Sequence, residues 1–185
     1  MIKDISFSSC EDSSFVKTQR MNYTQKGIKK AWDMVEVHDS VAILIYHKDK
    51  HSFVLVKQFR PPVYLKNNEG YTYELCAGIV DKDCSLVQIA KEEIDEECGF
   101  NMPLEKIDKI TSFYTAVGFA GANQTLYYCE VDDTMQEHEG GGIHVEDIEV
   151  VYLDVEDAKD FILDETKAKT PGIMYAMMWW FENIF

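Results

Sequence analysis

Residues 78–100 read GIVDKDCSLVQIAKEEIDEECGF, a glycine turn followed by a short helical stretch that packs four glutamates into six positions. Ser85 and Gln88 have the spacing of a capping box, S-x-x-Q. Gly99 stands where a helix ends on a left-handed residue, and Pro103 prevents its resumption soon after. Leu86, Val87, Ala90 and Ile94 form an apolar stripe that leaves most of the acids on the other side. Glu93, Glu96 and Glu97 stand at i, i+3 and i+4 and therefore share a face. Like charges at this spacing cost about 0.2–0.5 kcal/mol per pair in an isolated helix. Such a run seen alone is usually a solvated face. Here it lies behind a glycine turn that follows an apolar strand, 73–77, so a site is the sharper reading.

A cation would relieve the repulsion. Clustered hard oxygen ligands suit Mg2+ or Mn2+, and magnesium held by a few carboxylates and substrate phosphates is a common setting for phosphate-ester chemistry.

Outward from this segment, the pattern predicts strands at 16–23, 29–37, 41–47 and 52–58, the last two as a hairpin. A short first strand is expected at 2–8, and 66–70 (KNNEG) reads as a loop. Strands follow at 109–115, 125–131 and 149–153, with amphipathic helices at 155–163 and 172–183. The glycine-bearing loop 117–123 and the polar stretch 132–142 are candidates for functional loops. Short strands around two or three helices imply an α/β sandwich on a mixed sheet. Tyr114, Tyr127 and Tyr128 are expected to pack, as are Trp179 and Trp180.

The length of 185 residues suits one domain with a sizeable core. A formal net charge of -15 argues against non-specific nucleic-acid binding. Five cysteines without a CxxC pair, no signal-like opening and only short apolar runs predict reduced thiols, a cytoplasmic protein and no membrane span.

The segment 78–100 resembles the Nudix box, G-x5-E-x7-R-E-U-x-E-E-x-G-U, with Gly78, Glu93, Ile94, Glu96, Glu97, Gly99 and Phe100 in register. Cys84 replaces the first box glutamate and Glu92 the box arginine, which in the family helps to hold a metal-binding glutamate. Beyond the box, 32–46, 53–64, 73–81 and the stretch after Gly140 are similar to the UDP-sugar-cleaving members of the Nudix hydrolase family, relatives of its ADP-ribose pyrophosphatases. The resemblance implies the Nudix fold: an α/β/α sandwich around a mixed β-sheet, at 38–185, with an N-terminal antiparallel β extension at 1–37 that packs or swaps onto a partner in a homodimer. It implies Mg2+-dependent cleavage of the diphosphate of a UDP-sugar, with ADP-ribose cleavage and a catalytically silent nucleotide-sugar binder as alternatives.

By the same resemblance the metal ligands are Glu93, Glu96, Glu97 and the backbone carbonyl of Ala77. Arg60, in QFRPP, is the candidate phosphate clamp, because a guanidinium can hold two phosphate oxygens at once. Its bland reading is a surface ion pair. Strand alternation sends Lys57 to the opposite face. Glu74 is a candidate for metal or substrate binding, with a cross-strand ion pair as the competing reading. The general base is expected in the loop 137–147, where Glu146 leads Glu139 and His144. Trp32 is the candidate for stacking on a nucleobase, with a core tryptophan as the alternative. Tyr64 and Phe119 are weaker candidates.

Overall fold

The computed structural model describes residues 2–13, 15–143 and 146–185. Two compact units emerge: Met1–His38 with Tyr114–Ala122, and Asp39–Phe113 with Asn123–Phe185.

The first unit is built on strands β1 (Lys17–Gln25) and β2 (Ile28–Glu36), paired antiparallel from Lys17↔Glu36 to Gln25↔Ile28. Lys26 and Gly27 make the turn with positive φ, as a tight hairpin requires. Residues 2–8 form no strand. The segment mixes apolar and polar side chains, but every one of them is exposed, so no buried face rewards a strand.

The second unit contains a mixed sheet. It uses β3 (Ser40–His47), β4 (Ser52–Phe59), β5 (Tyr71–Glu74), β6 (Cys76–Ile79), β7 (Asp108–Thr115), β8 (Ala122–Val131) and β9 (Ile148–Asp154). β3 and β8 run parallel from Ser40↔Gln124 to His47↔Val131. On its other edge β3 changes partner. Ser40–Ile43 pair with β6, while Ile45–His47 pair with β4. Further along, β4 pairs with β5, from Val56↔Glu74 to Phe59↔Tyr71. The run 71–79 thus fills the opening between two diverging strands.

Side chains of β3 and β4 alternate between two buried clusters, as period 2 demands. Val41, Ile43, Ile45, Val54 and Val56 face helix α2 (Leu86–Cys98) through Ile89, Ala90 and Ile94. Ala42, Leu44, Phe53 and Leu55 face α3 (Val155–Leu163) and α4 (Pro171–Asn183) through Ala158, Ile173 and Met177. Each fully buried aliphatic side chain contributes about 1.5–3 kcal/mol. This is the expected α/β/α sandwich on a mixed sheet.

Helix α1 (Pro61–Asn67) occupies part of what reads as a loop. Proline at its first positions is compatible with helix, since those N–H groups have no partner in the helix. Asn68 closes it with a left-handed φ of 61°. Tyr114 is 69% exposed rather than packed, whereas Tyr127 and Tyr128 are buried as expected. Trp180 is buried and the neighbouring Trp179 half-buried. Among the described residues no helix is long and apolar enough to cross a membrane.

Candidate active site

Helix α2 brings the acids to the sheet. Ser85 caps it, its hydroxyl accepting from the Gln88 N–H, but only half of the capping box forms. The Gln88 side chain turns instead to Glu92, 3.0 Å away. Gly99 ends the helix in the left-handed conformation, its N–H donating to the Asp95 and Ile94 carbonyls.

Glu97 is buried between α2 and β6, and its Oε2 accepts the Ala77 N–H at 2.9 Å. Burial pushes this carboxyl up to about 8; the Ala77 N–H opposes that shift and the nearby Glu93 charge adds to it. Glu93 is raised to about 7, first by burial and then by Glu96. A Cβ at residue 78 would fall on the Glu93 side chain, which would have to swing away. The box glycine is therefore a matter of space, because its φ is not in the left-handed range. Cys76, a buried thiol, lies within hydrogen-bonding reach of both Glu97 and the Cys98 thiol. All five cysteines are unpaired.

Arg60 caps α1 at the end of β4, with its guanidinium in a two-pronged pair with Glu74, Nε to Oε1 at 2.7 Å and Nη2 to Oε2 at 2.8 Å. Thr72 also donates to Glu74 Oε1, at 2.6 Å. Glu74 thus forms the cross-strand pair and fixes the orientation of the guanidinium. The proton on Arg60 is held more tightly chiefly by Glu74, with further support from Glu97 and Glu146. Lys57 goes elsewhere, to Glu149 across the β4–β9 pairing at 2.8 Å.

Glu146 lies close enough to Glu93, Glu97 and Arg60 to act on the proton affinity of each. Its Oε2 accepts the Ile143 N–H at 2.8 Å. The loop before it docks on α2: Gly141 N–H donates to the Glu97 carbonyl at 2.9 Å and Gly142 N–H to that of Glu96 at 3.0 Å. The glycine triplet, with positive φ throughout, makes this approach possible, since a Cβ on Gly140 would run into the Glu97 carbonyl. Glu139 is exposed on this loop, and His144 lies outside the described residues. The sequence marks the triplet but not where it docks.

The position of the box arginine is resolved differently. Glu92 pairs with Lys82 at 2.6 Å, so a cation still stands beside the carboxylate cluster, supplied by the loop before the helix. Trp32 belongs to the first unit. It is 55% exposed, not a core residue, and its indole N–H donates to the Gly118 carbonyl at 2.9 Å. Tyr64 packs against Phe59, and Phe119 is exposed.

By donor chemistry the carboxylate oxygens on α2 suit a hard divalent cation, and two of them, Glu93 and Glu97, are raised in proton affinity first by burial and then by neighbouring carboxylates. Among the described residues the group whose candidate ligand atoms all lie within 4.8 Å of one another is elsewhere, His47 with Asp49 and Asp133, and it is less suited. The Lys50 ammonium already lies there, 3.1 Å from His47 Nε2 and 3.0 Å from Asp133 Oδ1. It sits about 17 Å along β3 from Ala42, the partner of Ala77.

No family model matches the chain. Individual proteins do. Uridine diphosphate glucose pyrophosphatase NUDT14 of Bos taurus is 34% identical over 99% of this chain and 96% of its own length. The Mus musculus protein of that name is 33% identical over the same shares. GDP-mannose pyrophosphatase of Cronobacter sakazakii is 36% identical over 66% of this chain and 65% of its own length. The chain belongs to the Nudix hydrolase family, enzymes that act on phosphorus anhydrides.

Proposed function

We propose that the protein hydrolyses the diphosphate of UDP-sugars, taking UDP-glucose to UMP and glucose 1-phosphate with Mg2+, or Mn2+ in its place. One observation carries this reading: two shielded carboxylates, Glu93 and Glu97, stand with Glu96 on one helix face beside an oriented guanidinium. The likeness to relatives named for UDP-glucose extends over nearly the whole chain, whereas that to relatives named for GDP-mannose covers about two thirds.

Glu93, Glu96, Glu97 and the Ala77 carbonyl would hold the cation. When bound, it offsets charge on the diphosphate oxygens and lowers the proton affinity of the attacking water. Arg60, steadied by Glu74, binds the phosphate oxygens through N–H groups turned away from that pair. Glu146 accepts the proton of the water as its oxygen bonds to phosphorus and the P–O bond to the leaving phosphate breaks. Trp32, exposed on the first unit, has the flat face that stacking on a nucleobase needs.

A two-stranded sheet is marginal by itself, and β1–β2 exposes Met21, Ile28 and Trp32. This supports a homodimer in which that hairpin rests on a second copy. Five unpaired cysteines favour the cytoplasm.

Product analysis on UDP-glucose, GDP-mannose and ADP-ribose, with and without Mg2+, tests the reading. Metal-dependent UMP release that outpaces GMP and AMP release is expected. Faster AMP release would move the enzyme to ADP-ribose, and binding without turnover would make it a silent binder.

A further inference from the structure

We infer that His138 is a positioning residue, which holds the loop bearing Glu146 in register with the carboxylates of α2. The inference rests on the reading of Glu146 as the proton acceptor. His138 lies outside the metal and phosphate groups. Its imidazole bridges two elements: Nε2 meets Asp95 Oδ1 at 3.1 Å, and Nδ1 accepts the Gly140 N–H at 3.1 Å. An N–H donated to Nδ1 fixes the tautomer, with the proton on Nε2 directed at Asp95.

Asp95 sits between Glu93 and Glu96 on α2, and Gly140 is the first of the three glycines that dock on the same helix. The ring therefore spans from the helix that carries the metal ligands to the backbone that leads to Glu146. The rest of the junction is made mostly by the main chain, with a side-chain bond from Asn101 Nδ2 to Glu137 Oε1 at 2.9 Å. Glu137 N–H donates to the Gly99 carbonyl at 2.8 Å, and Gly141 and Gly142 donate to the carbonyls of Glu97 and Glu96. A Cβ on Gly99 would collide with the His138 carbonyl, so helix end and loop meet without room for a side chain. Among the described residues, His138 is the side chain that ties the first glycine of the triplet to α2. Its loss leaves the metal ligands in place and lets the proton acceptor drift. A misplacement of about 1 Å in a reacting group can cost about a hundredfold in rate.

The experiment compares wild type, His138→Ala, His138→Asn, Glu146→Gln and the double variant His138→Ala/Glu146→Gln. Readouts are kcat and KM for UDP-glucose at saturating Mg2+, and Mn2+ binding to the substrate-free protein by electron paramagnetic resonance. His138→Ala is expected to lower kcat about ten- to a hundredfold, with KM and Mn2+ affinity within about twofold of wild type. Asparagine places Oδ1 where Nδ1 accepts from Gly140, so His138→Asn is expected to recover most of the loss. The double variant is expected to be no slower than Glu146→Gln, because both changes act through one group. A slow Glu146→Gln beside a His138→Ala at wild-type rate overturns the inference alone. So do additive losses in the double variant, or a fall in Mn2+ affinity that matches the fall in kcat. A Glu146→Gln at wild-type rate removes the proton-acceptor reading and the inference with it.

Discussion

The Ala77 N–H donates to Glu97 Oε2 at 2.9 Å, so the most buried carboxylate of the site is fixed to the sheet by a backbone group. Glutamine at this position keeps an acceptor for that N–H and removes the charge. Glu97→Gln is expected to lower metal-dependent turnover about a hundredfold or more, as for loss of a main electrostatic group. Without metal at pH 8 the same variant is expected to melt higher than wild type, because an uncompensated buried charge is gone. Turnover assays and calorimetry in chelator measure the two effects, and an active Glu97→Gln would remove this residue from the chemistry.

Glu93 and Glu97, raised to about 7 and about 8 from an ordinary 4.5, bind protons more tightly in the folded state than in the unfolded one. Their contribution to stability is therefore fully present below the unfolded value and is lost as pH rises through 7 and 8. In chelator the melting temperature is expected to fall across this window, by about 2–4 °C for each kcal/mol lost in a chain of this size. A Mg2+ ion held by these groups as proposed would bind their ionised form, so its stabilising effect is expected to grow over the same range. Melts from pH 5 to 9 with and without Mg2+ would show the two slopes, and parallel curves would contradict the assignment.

Gly78 leaves no room for a side chain against Glu93. Gly78→Ala forces that side chain to swing away, a change felt at the carboxylate more than in stability. The Mg2+ concentration needed for half-maximal rate is expected to rise several-fold. A Mg2+ titration of rate checks this, and an unchanged half-maximal concentration would show that Glu93 stands outside the metal site.

Lys82 and Glu92 form a partly exposed ion pair, worth about 0–1 kcal/mol after solvent screening. Lys82→Met is therefore expected to change unfolding free energy by no more than that, as read in urea. Turnover is expected within about threefold of wild type if Glu92 in the arginine position is tolerated. A collapse of turnover with stability intact would assign Lys82 a direct part in the site.

The helix α2 was legible because its signals are local: Ser85 at one end, Gly99 at the other, and an apolar stripe of period 3.6 between them. β3 and β4 were legible because each carries an unbroken apolar run buried on both faces, 41–45 and 53–56. Helix α1 was not, since two prolines followed by KNNEG carry turn chemistry as strongly as helix chemistry. The Arg60–Glu74 pair was one of two open readings, and only strand register could choose it, since the residues lie 14 apart in sequence. The docking of Gly141 and Gly142 on α2 is made by peptide groups, which every residue but proline possesses, so no side-chain pattern announces it.

The run 71–79, set between β3 and β4, has a consequence for substrate size. Arg60 hangs from the end of β4, while Glu97 is fixed to β6, which β3 holds. The span between the Arg60 guanidinium and the carboxylates thus follows the inserted run, at whose midpoint Leu75 is buried. Leu75 packs into the cluster beneath α3 and α4, so the length of ligand that the proposed site can span is ruled by main-chain pairing, like a fixed gauge block.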